Sequence, residues 1–220
     1  MQQNLPTVFL SGTLPKVCRD ALSDRFCLRD PVVLHSDLIN EKLTYSVQEI
    51  IGENRLDKVQ SFIHSNYENV PKILCICDTR GNAEGLYTKA IDGREAYMMH
   101  RGMEISEARM NLERFKTCKV KSILYCTAAL GEGINIGGLN HLVVVGTAYS
   151  LLKLVQYSAR AGRSGERGQC KVLYFFNDKQ DLDINGIVAK EYAQLNLVPL
   201  AHRQKVKHLI TESGFKEWFE

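Results

Sequence analysis

Several patterns are missing from this chain, and each absence removes a class of function. No Cys or His pair has the C-x-x-C type of spacing that a structural zinc site needs, so no metal is expected. No apolar run approaches the roughly 18 residues that span a bilayer, and the opening MQQNLPTVFLSGTLP lacks the basic-then-apolar order of a secretory leader. The expectation is an intracellular protein with no membrane partner. No G-x-x-x-x-G-K-S/T loop occurs, and no Asp-Glu pair follows an apolar strand, so the usual phosphate cradle and magnesium ligands are both lacking. Dominance of one charge is lacking too. Lys and Arg number 28 against 25 Asp and Glu, and the formal charge of +3 permits nucleic-acid binding without arguing for it.

What is present suits one substantial core: 220 residues, of which 45% are hydrophobic. The seven cysteines, Cys18, Cys27, Cys75, Cys77, Cys118, Cys126 and Cys170, are odd in number and sit mostly in apolar runs such as ILCIC and ILYCT. They read as small buried hydrophobes in a reducing compartment. From Lys72 onward, short β-branched or apolar runs bounded by turn residues alternate with segments of helical period, the mark of a parallel sheet covered by helices. Strands are predicted at Lys72–Cys77, Ala96–Met99, Lys121–Cys126, His141–Val145 and Cys170–Phe176, and helices at Asn82–Ala90, Ser106–Phe115 and Ser150–Arg160. In the second of these helices Ser106 is placed to cap, with Met110, Leu112 and Phe115 facing the sheet.

Upstream, Val8–Leu10 reads as a strand, and Pro15 opens a helix through Leu22. The stretch PVVLHSDLINEKLTYSVQEI is extended and partly alternating, a linker plus strand, and a helix over Asn54–Asn66 follows. The tail after Asp178 reads as helical, polar and mildly basic.

The segment Gln156-Tyr-Ser-Ala-Arg-Ala-Gly-Arg-Ser-Gly165 places Arg160 and Arg163 three apart where a helix gives way to glycines. That spacing sets both guanidiniums on one side of a helical turn, within reach of one polyanion. An ordinary Gly-rich C-cap is the alternative. Thr127-Ala-Ala-Leu-Gly-Glu-Gly-Ile-Asn135 follows the apolar strand SILYC, past the carboxyl end of a strand, where open α/β sheets take ligands. Its amides and the Thr127 hydroxyl could hold a phosphate; a plain tight turn is the alternative.

In this order, the two segments resemble motifs V and VI of superfamily 2 helicases, and among these the RecQ family of DNA helicases. Leu10-Ser-Gly-Thr-Leu-Pro15 resembles motif III and Lys72-Ile-Leu-Cys-Ile-Cys-Asp-Thr-Arg80 motif IV. His100-Arg-Gly-Met103, with Arg109 and Phe115 beyond, resembles the segment before motif V. Together the matches cover residues 5–178.

The resemblance implies an α/β fold with a mainly parallel, RecA-like sheet flanked by helices. Residues 1–50 would be a remnant of a first motor lobe, carrying motif III, with the interlobe linker. Residues 51–178 would be the helicase C-terminal RecA-like domain, and 179–220 a helical extension. It implies ATP as cofactor, its phosphates and Mg²⁺ held by an upstream RecA-like lobe, while Arg163 acts as arginine finger with Arg160 its partner. Gly131, Gly133, Asn135 and Gln156 would line the nucleotide side. Thr79, Arg80, His100 and Thr127 would contact the nucleic acid, and Ser11 and Thr13 would couple the lobes. DNA is the implied partner, with RNA as an alternative, and a nuclear location follows in a eukaryote.

For His100 the competing reading is a buried, satisfied histidine, and for Arg80 a solvated surface charge. Ala159 stands where the family usually has glycine, and Asn135 and Ser164 stand where it usually has aspartate. Asn135 keeps a carbonyl acceptor but not the charge. With the phosphate cradle lacking as well, this polypeptide is expected not to hydrolyse ATP by itself, and a catalytically inactive nucleic-acid-binding or scaffold fragment stays open.

Overall fold

In a computed structural model the described residues are 8–11, 16–34, 42–90, 93–127, 136–146, 151–162 and 167–175. They form one six-stranded sheet, β1 (Leu43–Ile50), β2 (Lys72–Cys77), β3 (Glu95–Met99), β4 (Ser122–Thr127), β5 (His141–Val145) and β6 (Gly168–Phe175), in the order β1-β6-β5-β2-β4-β3. Every pairing is parallel. The helices are α1 (Lys16–Arg25), α2 (Arg55–Tyr67), α3 (Arg80–Thr88), α4 (Ile105–Thr117) and α5 (Leu151–Ser158).

The central strands are apolar on both faces because both are covered. Successive side chains of a strand point to opposite faces, and the core divides accordingly. Leu74, Ile76, Leu124, Cys126, Leu142 and Val144 pack with Ala108 and Phe115 of α4 and with Leu154 and Tyr157 of α5. Ile73, Cys75, Ile123, Tyr125, Val143 and Val145 pack with Val59, Ile63 and Tyr67 of α2 and with Ala83 and Leu86 of α3. The result is a three-layer α/β/α sandwich. The sheet takes in Leu43–Ile50, which lies before the boundary read at residue 51 and pairs with β6 along its whole length.

Three local expectations are corrected. Val8–Leu10 is irregular, with Val8 and Leu10 78% and 92% exposed, because the segment has no ladder partner among the described residues. Ser106 lies inside α4 and is exposed; Glu104 occupies the cap position without a capping side-chain bond. Met110 is exposed rather than facing the sheet, while Phe115 is fully buried and Leu112 packs against the same core. The polar stripe of α4 is therefore wider than the sequence period suggests. The helical reading of 179–220 lies outside the described residues. None of the described helices is long and apolar enough to cross a membrane.

Candidate functional site: a strand-end edge and an adjoining helix end

The chain leaves β2 toward β3 and leaves β5 toward β6, on opposite sides of this adjacent pair. The carboxyl ends of β2 and β5 thus flank the crevice in which open α/β sheets take ligands. Asp78 and Gly146 meet there. The Asp78 N–H donates to Val145 O at 3.0 Å, and the Asp78 carboxylate lies over Gly146, where any β-carbon would collide with it. Gly146 also has φ +83°, a conformation open to glycine at little cost. Asn82 Nδ2 donates to Asp78 Oδ1 at 2.7 Å and ties the carboxylate to α3.

Thr79 and Arg80 follow at once. Thr79 is the N-cap of α3, its Oγ1 accepting from the Asn82 N–H at 3.1 Å, and its hydroxyl hydrogen is left to donate outward. Both residues are exposed, at a helix N-terminus whose uncompensated amides favour an anion.

The turn after β3 lies against them. Gly102 faces the Arg80 guanidinium, and a β-carbon there would stand 2.6 Å from its central carbon. His100 is buried at 4% exposure. Its Nδ1 accepts from the Gly102 N–H at 3.1 Å, which puts the proton of the neutral ring on Nε2. That atom is 3.1 Å from Glu84 Oε1 of α3, on a line too oblique for a well-directed hydrogen bond. His100 therefore braces the turn from beneath, buried but with Nε2 lacking a well-directed partner among the described residues, while Arg80 lies on the surface. Thr127 closes β4 as its last residue, one position beyond the predicted strand end, and is 8% exposed.

The arginine-bearing segment sits elsewhere, on the face covered by α4 and α5. Gln156 and Arg160 are one turn apart, on the same side of α5 and the turn that continues it. Arg160 is 6% exposed. Burial pushes the Cys126 thiol of β4 far above its usual range, with Cys77 adding to the effect, and the positive charge of Arg160 opposes the rise. That guanidinium is thus close enough to the carboxyl half of β4 to act on it. Gln156 Oε1 is buried with no hydrogen-bond partner among the described residues, which costs about 1–3 kcal/mol unless something supplies a donor. Beyond Arg160 the chain turns at Gly162, with φ +69° and its N–H donating to Leu139 O at 2.9 Å.

Of the residues read from the sequence, Thr79, Arg80, His100 and Thr127 are brought to one edge. Gln156 and Arg160 stand together on the adjoining face. Ser11 is exposed in the N-terminal segment. Arg163, Gly131, Gly133, Asn135 and Thr13 lie outside the described residues, as does Ser164. The sequence reading missed Asp78, Glu84, Gly102 and Gly146. Asp78 and Gly146 each directly follow a buried apolar strand, and that position was the signal available; nothing local marks Glu84.

The all-parallel sheet between two helical layers, with polar groups gathered at the strand ends, makes this a doubly wound α/β domain, and its likeness to one solved structure and one family model makes it a RecA-like one. A solved structure of S. cerevisiae Dbp5 bound to RNA and ADP BeF3 shares this fold, with a TM-score of 0.62 at 15% identity, over 96% of this chain and 54% of that one. The chain belongs to the helicase conserved C-terminal domain family, whose model matches residues 54–165, the second lobe of superfamily 2 helicases. It is 25% identical over 219 residues to the ATP-dependent DNA helicase Q-like 2 of Arabidopsis thaliana, covering 98% of this chain and 31% of that protein. It is 28% identical over 189 residues to the pre-mRNA-processing ATP-dependent RNA helicase PRP5 of Vanderwaltozyma polyspora, covering 76% of this chain and 21% of that protein. The chain thus spans less than a third of the length of these two relatives.

Proposed function

We propose that this domain supplies the second half of an ATP site and part of a nucleic-acid track in a helicase motor acting on DNA. The observation that carries the reading is that one small domain presents Thr79 and Arg80 at its strand-end edge and Gln156 with a buried Arg160 on the adjoining face.

The residues fit a nucleotide. A cation held in a poorly solvated place interacts strongly with phosphate because there is little water to screen it. Arg160 is such a cation. Gln156 Oε1 is an acceptor awaiting an N–H or O–H, from a neighbouring arginine or from a ribose. Arg163 is the proposed finger, Arg160 orients it, and Gly131, Gly133 and Asn135 complete the nucleotide side. Bound ATP would supply the phosphoanhydride, with its phosphates and Mg²⁺ held by another lobe. A cation that engages only when two lobes close ties hydrolysis to movement.

On the edge, Arg80 and the Thr79 hydroxyl contact backbone phosphate, while His100 positions the turn on which Arg80 rests. Contacts of this kind fix register without reading bases, so binding is salt-dependent and tolerant of sequence. DNA leads because the Q-like relative aligns over nearly the whole chain. RNA is the second reading because the PRP5 relative has the higher identity.

The test joins the chain to a phosphate-binding lobe of a related helicase and measures nucleic-acid-stimulated ATP hydrolysis. Arg163→Ala is expected to lower the rate by about a thousandfold or more, the lower end of what an arginine finger contributes. An unchanged rate removes the assignment. Stimulation by RNA but not by DNA moves the substrate to the second reading.

A further inference from the structure

The edge opposite the candidate site, where the strands begin, carries a concentration of cations. Lys72 opens β2, Arg94 precedes β3, and Lys121 precedes β4, which lies between them in the sheet. Arg114 and Lys116 occupy the last turn of α4, and Lys119 lies in the loop from α4 to β4. Hydrogen bonds tie part of the group to the strand starts. Lys72 Nζ donates to Lys116 O at 2.6 Å, Arg94 Nη1 donates to Ser122 O at 3.2 Å, and Lys121 Nζ reaches Asn69 Oδ1 at 3.5 Å.

Part of this charge has a structural use. Helices that return antiparallel to the strands bring their carboxyl ends to this edge, where cations offset the helix dipole. Arg94 also ties down Tyr67 O and Val70 O, at 2.7 and 2.8 Å. Carbonyl groups are neutral, however, so they occupy the donors of Lys72 and Arg94 without cancelling their charge. Among the described residues the carboxylates at this edge are Glu68, Glu95 and Glu113, and Glu113 pairs with Lys116 at 2.7 Å. Among the described residues, six cations at this edge thus stand against three carboxylates. Arg114, Lys119 and Lys121 are exposed and hold none of the backbone carbonyls that Lys72 and Arg94 hold.

We infer that this strand-start edge is a second polyanion-binding surface, and that its ligand is the phosphate backbone of a nucleic acid. Arg114, Lys119 and Lys121 fall within eight residues between the last turn of α4 and the start of β4, so these exposed cations can engage neighbouring phosphates of one backbone. The six residues of β4 set this surface roughly 17–20 Å from Thr127 and Arg80, too far for one phosphate to touch both. A nucleic acid bound at the strand-end edge could meet the second surface only with a different stretch of its backbone, or as a separate molecule.

The experiment measures binding of the 220-residue chain to a fluorescein-labelled duplex with a single-stranded tail, in both DNA and RNA forms, across a salt series. The combined variant Arg114→Gln, Lys119→Gln and Lys121→Gln is compared with Arg80→Ala. Each lost phosphate contact lowers the slope of log affinity against log salt by about 0.9, so the triple variant is expected to lose about two to three units of slope. Between about 50 and 200 mM salt, the fall in affinity shrinks by roughly threefold for each contact removed. An unchanged slope in a triple variant with unaltered thermal melting overturns the inference. So does unchanged nucleic-acid binding accompanied by lost binding of polyglutamate, which would assign the surface to an acidic protein. The strand-end reading fails separately, if Arg80→Ala leaves the slope untouched while the triple variant lowers it.

Discussion

A methyl group added at Gly102 would enter the space of the Arg80 guanidinium, 2.6 Å from its central carbon, but the backbone there is not left-handed. The clash is with the far end of a flexible side chain, which can swing away at little cost in folding energy. Gly102→Ala is therefore expected to change stability by no more than about 0.5 kcal/mol, in the range of ordinary surface substitutions, while weakening nucleic-acid binding about as much as Arg80→Ala. Thermal melting beside a binding titration checks both halves; wild-type affinity would show that Arg80 is not held by this turn. Gly146 differs, because its φ of +83° and the Asp78 carboxylate above it oppose a β-carbon together. Gly146→Ala should destabilise the fold by more than the ~1 kcal/mol that a left-handed alanine costs by itself. Neither glycine was assigned a role from the sequence. A glycine is visible in a sequence, but the side chain it makes room for comes from another strand end.

At the scale of elements, legibility followed burial. β2 and β5 read correctly because central parallel strands are continuous apolar runs, KILCIC and HLVVV, bounded by turns. β1 is at the sheet's edge and reads LTYSVQEI, partly alternating, so its strand character was legible but its place beside β6 was not. Strand order joins residues over 120 positions apart, as in Leu43 with Gly168, and no local pattern encodes that pairing. The buried polar link between α2 and β4 was equally hidden. Gln60 Nε2 donates to Leu86 O at 2.5 Å and to the Tyr125 hydroxyl at 2.9 Å, and that hydroxyl lies 3.1 Å from Gln60 Oε1. Tyr125→Phe keeps the packing and removes the hydroxyl, leaving a buried amide short of a partner. A loss of about 1–3 kcal/mol is expected in chemical denaturation. A neutral result would mean that Gln60 finds another partner inside the core.

Over the whole molecule, two rings in contact contribute to how stability depends on pH, one at each end of the scale. His141 opens β5, and Tyr67 ends α2 with its ring edge-on to the imidazole, the centroids 5.5 Å apart. Burial lowers the His141 pKa below 6.5 and raises that of Tyr67 from 10.0 to about 12, with Cys170 adding to the latter. Both shifts favour the neutral form in the folded state, so they act at opposite ends of the pH scale. For His141 the unfolded chain takes up the proton first as pH falls, so stability is full above about 6.5 and declines below it. For Tyr67 the unfolded chain loses its proton first, so stability is full below about 10 and declines toward pH 12. The melting temperature is therefore expected to form a plateau between these limits. His141→Gln should flatten the acid side and leave the alkaline side intact. Tyr67→Phe should soften the alkaline side only in part, because burial also raises the pKa of Tyr97 and Tyr125. An acid side that keeps its slope in His141→Gln would place the acid sensitivity in the carboxylates and leave the junction of α2 and β5 indifferent to protonation.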